Sequence, residues 1–124
     1  MTAIKSFRIT DFSKTSKPWG SEILIDKNPA YAFKQIIMKA GSRSSLQSHR
    51  FKQETIFVVS GLIELEIVSS GGESQFEQFG PNQAYYLPAE TIHRVRVIED
   101  CLLYEVSTPE LDDIIRYQDD FGRK

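Results

Sequence analysis

The sequence predicts an all-β domain, an antiparallel sandwich or barrel finished by one short C-terminal helix. Three observations carry that expectation. Nine short β-prone segments follow one another at near-regular spacing, Gly, Pro and Asn punctuate the gaps, and a helix-start pattern appears only near the C-terminus.

Ser21–Asp26 is the first expected strand, ended by Asp26-Lys27-Asn28-Pro29. Tyr31–Lys39 is dense enough in apolar residues for a strand buried on both faces, and Ala40-Gly41 closes it. Ser44–His49 is polar yet strand-like, and Thr55–Ser60 is strongly β-prone. Gly61 separates it from Leu62–Val68, where Glu64 and Glu66 alternate with Ile63, Leu65 and Ile67 as the solvent side of a strand. After the loop Ser69-Ser70-Gly71-Gly72 come Gln75–Phe79, Ala84–Leu87, Arg94–Ile98 and Leu102–Ser107. Thr108-Pro109-Glu110 then resembles a helix start, with Thr108 as cap and Pro109 in the first turn. Leu111, Ile114 and Ile115 would form its apolar stripe, and Asp112 and Asp113 suit its positive end.

At 124 residues and 14.2 kDa, with 40% hydrophobic and 26% charged residues, the chain is sized and composed for one globular domain. Its expected parts are an N-terminal arm over about 1–20, a barrel over about 21–107, and a helix and tail over about 108–124. Fifteen Lys and Arg against seventeen Asp and Glu leave a net charge of −2, which gives no field for nucleic acid or an acidic membrane. No apolar run approaches the ~20 residues of a membrane-spanning helix. The start, Met1 to Thr10, lacks a signal-peptide core. The single Cys101 has no internal disulfide partner and reads as a small buried hydrophobe, so a reducing cytoplasm is expected.

One strand breaks the apolar pattern. Arg43, Ser45, Gln47 and His49 would share a face, and the opposite face carries Ser42, Ser44, Leu46 and Ser48. A strand with no apolar face is not held by burial, so it either lines a site or lies at an exposed edge. Two further segments bear on the choice. Glu54 follows His49 by five residues, and Pro88-Ala89-Glu90-Thr91-Ile92-His93 puts the other histidine at a strand start. The order Gly41, Gln47, His49, Glu54, Gly61, then Gly80, Pro88, His93 resembles the paired motif of the cupin superfamily, as does the eighteen-residue spacing between Gly61 and Gly80. That resemblance implies a jelly-roll barrel holding one divalent metal through Gln47, His49, Glu54 and His93. Two imidazoles, an amide and a carboxylate suit Zn, Mn, Fe, Co or Ni, and four ligands leave positions open for water or substrate.

Outside that motif, Lys17-Pro18-Trp19-Gly20-Ser21, Gly41–His49, Val58-Val59-Ser60-Gly61, Tyr86-Leu87-Pro88-Ala89 and Ile92-His93-Arg94 resemble the type II phosphomannose isomerase domains. So does the ending, Asp112-Asp113-Ile114-Ile115-Arg116 followed by Asp120-Phe121-Gly122-Arg123. The similarity runs from about Lys17 to Arg123. It implies a metal-dependent aldose–ketose isomerase acting on mannose 6-phosphate, with Gln47 accepted in the metal set. The chain departs from the family pattern in Arg50 and Phe51, where further histidines are usual, in Glu90 for a glycine, and in Lys17 for an arginine. No Gly-rich phosphate loop occurs, so guanylyltransferase chemistry, often fused to this domain, is not expected of this chain.

For such a reaction Lys34, Tyr86 and Glu105 are the candidates for the general base, and none is assigned. Arg43 and Arg123 are the expected phosphate contacts, and Tyr86 a further substrate contact. Trp19, beside Pro18 and Gly20, reads as a packing anchor for the arm rather than a sugar-stacking ring. Two other classes stay open: a non-catalytic cupin that binds a sugar or other small molecule, and a different metal-cupin enzyme such as a dioxygenase. A homodimer paired through an exposed sheet edge is expected.

Overall fold

The computed structural model describes residues 4–120, 122 and 123. Met1–Ala3, Phe121 and Lys124, assigned above to the arm and the tail, lie outside the described residues. The described residues form nine strands: β1 (Thr15–Lys17), β2 (Gly20–Lys27), β3 (Ala32–Met38), β4 (Leu46–Ser48), β5 (Glu54–Val68), β6 (Ser74–Phe79), β7 (Ala84–Leu87), β8 (Ile92–Ser107) and β9 (Ile115–Gln118). All pairings are antiparallel.

Two long strands organise the barrel. Residues 101–107 of β8 pair with β3, and residues 102–107 also pair with the first part of β5, which carries β7 on its other side. His93 of β8 pairs with β4, while residues 92–97 pair with the second part of β5, which carries β6. One half is therefore β1-β2-β3-β8-β5-β7, and the other is β9-β4-β8-β5-β6. The same two strands belong to both, so the sheet curls on itself as a jelly roll.

The four segments expected at Thr55–Ser60, Leu62–Val68, Arg94–Ile98 and Leu102–Ser107 are thus two continuous strands. Gly61 does not end a strand. It sits at φ +90°, among register shifts that run from Val58 to Ile63. A Cβ there would come within 2.2 Å of the Asp100 carbonyl oxygen. Only glycine permits that approach, which lets β5 bend between the halves.

Inward residues of both halves meet in one core that includes Ile36, Met38, Val58, Ile63, Val97 and Leu103. Ile63 and Leu65 are buried as the alternation of β5 requires, and Glu64 faces outward to Arg96 at 3.0 Å. Trp19 joins the core, and its carbonyl accepts the Lys39 N–H, which anchors the arm as expected. Cys101 is buried too. No helix among the described residues is long and apolar enough to cross a membrane.

The expected C-terminal helix does not form. Leu111 and Asp112 lie in a turn, and Ile115–Gln118 pairs with β4 as β9. A one-turn helix gains few hydrogen bonds for its ordering cost, whereas the edge of β4 satisfies the backbone of residues 115–118 directly. Leu111 and Ile114 face the barrel interior, but Ile115 is exposed, so the three do not form one stripe.

Candidate metal centre

The open end of the barrel encloses a cavity of about 340 Å³. Ser44, Ser45, Gln47 and His49 line it from β4 and the chain on either side of it, Glu54 from the start of β5, His93 from β8, and Leu111, Ile114 and Arg116 from the C-terminal segment. Polar residues fill the expected strand because it faces this cavity. Its alternation is imperfect, since Ser44 and Ser45 both line the wall and the register slips between Leu46 and Gln47.

His49, Glu54 and His93 are all buried, and one donor atom from each lies within 4.8 Å of the others. Glu54 Oε1 is 3.6 Å from His93 Nε2 and 3.9 Å from His49 Nε2. Those separations fall within the ~4.2 Å that two donors each ~2.1 Å from a shared ion can span. His49 Nδ1 donates to the Asp113 carbonyl at 2.6 Å, and His93 Nδ1 donates to the Thr91 carbonyl at 2.9 Å. A carbonyl only accepts, so each ring carries its proton on Nδ1 and turns the Nε2 lone pair to the cavity. Burial lowers both histidines, His93 to about 4, with the Lys52 charge adding to the effect and the carbonyl contacts opposing it. Neutral imidazoles and a carboxylate are the donor set a divalent transition metal takes, so the cluster could hold such an ion. Gln47 stands opposite His93 in the β4–β8 ladder and lines the same cavity.

Two loops bring the histidines together. The Glu90 N–H donates to the His49 carbonyl at 2.6 Å. Glu90 adopts φ +68°, so the backbone keeps a left-handed turn where the family pattern has glycine. That departure leaves the path to His93 intact.

A second buried group adjoins the first. Lys52 Nζ lies 3.1 Å from Glu54 Oε2 and 3.5 Å from Glu105 Oε2. Glu54 thus turns one oxygen to the histidines and the other to an ammonium. Burial, with the Glu54 charge in support, raises Glu105 to about 7. Burial opposes the Lys52 charge, yet Glu105 and Glu54 hold it above its ordinary value. Tyr85 is raised well above the usual phenol by burial and by the Glu54 and Glu105 charges.

The remaining expected residues divide. Glu105, Lys34 and Arg123 line the cavity, Lys34 paired with Glu22 at 3.3 Å and Arg123 with Asp119 at 2.8 Å. Arg43 and Tyr86 do not. Arg43 precedes the regular strand, is 43% exposed in its side chain, and grips both oxygens of Asp120. Tyr86 points outward from β7 and donates to Gln53 Oε1. Sequence reasoning missed Lys52, which reads as an ordinary surface lysine between two ligands. It also gave Asp113 to a helix that does not exist.

The family model for the mannose-6-phosphate isomerase C-terminal region matches residues 6–119. The chain belongs to that family. Among curated members of similar sequence, xanthan biosynthesis protein XanB of Xanthomonas campestris pv. campestris is 33% identical over 115 residues, covering 89% of this chain and 24% of XanB. Alginate biosynthesis protein AlgA of Pseudomonas putida is 33% identical, covering 86% of this chain and 22% of AlgA. Mannose-1-phosphate guanylyltransferase ManC of Salmonella typhimurium is 31% identical, with the same coverage. The chain therefore spans about a quarter of the length of these relatives. Among solved structures, oxalate decarboxylase from Bacillus subtilis superposes with a TM-score of 0.80 at 16% identity, covering 94% of this chain and 33% of that one. KdgF from Halomonas sp. gives 0.74 at 19% identity, covering 87% of this chain and 97% of that one. At such identities these structures speak for the fold alone.

Proposed function

We propose that the chain is a metal-dependent sugar-phosphate isomerase of the mannose-6-phosphate isomerase type, which interconverts an aldose and a ketose phosphate. One observation carries the reading: a buried His49–Glu54–His93 cluster opens onto the same cavity as a second buried carboxylate, Glu105. In this reading His49, Glu54 and His93, with Gln47, hold one divalent ion (Zn, Mn, Fe, Co or Ni). When bound, that ion supplies Lewis-acid polarisation of the substrate's carbonyl and adjacent hydroxyl oxygens.

The chain's own groups do the rest. Glu105 takes the carbon-bound proton from one substrate carbon and returns it to its neighbour, the proton of the adjacent hydroxyl passes to the former carbonyl oxygen, and Lys52 holds the Glu105 carboxylate in place. Lys34 and Arg123 supply cations on the cavity wall for the phosphate. Arg43 and Tyr86 have no part in this version of the site. Trp19, Leu111 and Ile114 give the cavity apolar wall that limits water. A cytoplasmic location belongs to the same reading, since the lone thiol of Cys101 is free and buried.

The test is conversion of mannose 6-phosphate to fructose 6-phosphate by the purified chain, with and without added divalent metal. Metal-dependent turnover is expected. Protein that carries metal and turns over no sugar phosphate overturns the isomerase reading and favours a binding cupin.

We also propose a homodimer, formed through a sheet face rather than an edge. Phe33, Ile37, Phe57, Val59, Tyr104 and Val106 point out of the barrel side by side, with Phe33 paired to Val106, Phe57 paired to Tyr104, and the Phe33 and Tyr104 rings stacked at 5.7 Å. The alternate outward positions of β3, β8 and the first part of β5 carry no charged residue. A solvated antiparallel face is normally polar. An uncharged face rich in aromatic residues is complementary to an equally uncharged one, and its own copy supplies that by two-fold symmetry.

A further inference from the structure

Asp113 ties the C-terminal segment to the loop between two residues of the candidate metal centre. Its carboxylate accepts the backbone N–H groups of Arg50 at 3.0 Å, Phe51 at 2.7 Å and Lys52 at 2.9 Å. Its main-chain carbonyl accepts the Nδ1 proton of His49 at 2.6 Å. One residue thus holds four successive positions, 49 to 52, in the connection from β4 to β5. His49 opens that connection, and Glu54 begins the strand that follows.

Consecutive amides converging on a carboxylate form an anion nest, a geometry that flanking chain alone does not enforce. The hydrogen bond to Nδ1 sets both the tautomer and the angle of the His49 ring, as partners behind metal-ligating histidines do. The residues around Asp113 are also cavity wall: Leu111, Asp112, Ile114 and Arg116 all line it. The four hydrogen bonds of Asp113 therefore serve both the placement of His49 and, beside the β4–β9 pairing, the closure of that wall.

We propose that Asp113 is a positioning residue whose clamp couples docking of the C-terminal segment over the cavity to the binding of a divalent ion at His49, Glu54 and His93. The inference rests on the metal reading above, though not on isomerase activity. Coupling of this kind is reciprocal: if the docked segment favours the ion, the ion favours the docked segment to the same degree.

The experiment titrates the 124-residue chain and its D113N and D113A variants with zinc or manganese ions by calorimetry, and measures amide exchange over residues 111–118 with and without the ion. Near-ultraviolet circular dichroism of the ion-free proteins reports folding. The expected result is binding weakened about 10- to 100-fold in D113A, and less in D113N, whose amide oxygen still accepts. In the wild-type chain the ion should slow exchange over 111–118, and that slowing should shrink in the variants. Equal affinity in folded D113N, D113A and wild-type proteins would overturn the coupling. So would exchange over 111–118 that is indifferent to the ion in the wild-type chain, a measurement that needs no variant. A wild-type chain that binds neither ion overturns the metal reading and the coupling together, whereas binding without turnover overturns the isomerase reading alone.

Discussion

Gln47 lies directly across the β4–β8 ladder from His93, so the amide and the imidazole leave the sheet on the same face, beside Glu54. His93 is 3% exposed, yet its Nε2 faces a cavity and its ring is not in the apolar core. His93→Ala should therefore abolish metal binding and leave the barrel folded. Gln47→Ala should weaken binding by roughly tenfold, or about 1.4 kcal/mol, without abolishing it. Elemental analysis of protein purified without chelator, read beside far-ultraviolet circular dichroism, checks both. Loss of the fold in His93→Ala would make His93 a core residue.

Glu105 sits 3.5 Å from Lys52 on the cavity wall and is buried. If Glu105 carries the proton as proposed, Glu105→Gln keeps the shape and removes the base. Turnover of mannose 6-phosphate should fall about 10²- to 10⁴-fold with metal content unchanged. Steady-state kinetics on metal-saturated protein measures it, and wild-type rates in this variant would move the base elsewhere.

Much of this architecture was legible because burial writes itself into period-two patterns. Ile63, Glu64, Leu65 and Glu66 alternate as they do in the barrel, and the serine-rich run before His49 marked a wall facing a cavity rather than a core. The meeting of His49, Glu54 and His93 was legible too, since the chain has only two histidines and both fall on the spaced motif. What escaped depends on which backbone lies nearby. Gly61 looks the same in a turn and in a bulge, and only the approach of Asp100 decides between them. Thr108-Pro109-Glu110 carries a helix-start pattern, but the unpaired edge of β4 claimed the following residues. Arg43 lies two residues from Ser45 yet does not line the cavity, because regular strand geometry begins only at Leu46.

Glu90 holds φ +68° where the family pattern has glycine. A side chain in the left-handed region costs about 1 kcal/mol or more, offset in part by the extra freedom a glycine has in the unfolded chain. Glu90→Gly should raise stability by up to about 1 kcal/mol, with metal affinity unchanged because the His49 and His93 contacts are made by backbone and ring atoms. Urea denaturation checks the first outcome and calorimetric titration the second.

Asp120 receives both Nε and Nη2 of Arg43, and that contact holds its carboxyl below the usual carboxylate range. The sign follows from linkage. The folded state binds the proton less readily than the unfolded chain, so the pair's contribution is fully present above the unfolded carboxylate value and is lost as pH falls through the lowered folded value. Thermal melts of wild type and Asp120→Asn should therefore differ near neutral pH and converge in acid. High salt should narrow the gap at neutral pH, since both partners are exposed. A difference that persists at the acid end would assign the effect to something other than this ion pair.

Phe57 occupies the middle of the uncharged outer face, opposite Tyr104 and 41% exposed. In a two-fold interface centred there, a carboxylate at position 57 on each copy would be desolvated without a partner and would face a like charge across the axis. Phe57→Glu should therefore split the dimer while leaving each barrel folded, because the side chain makes no contribution to the inner core. Sedimentation equilibrium should give about twice the 14.2 kDa chain mass for the wild type and the single chain mass for the variant. A wild-type chain that sediments as a monomer removes the interface. A variant that stays dimeric moves it to another surface, of which the edge strand β6, with Phe76 60% exposed, is the next to test.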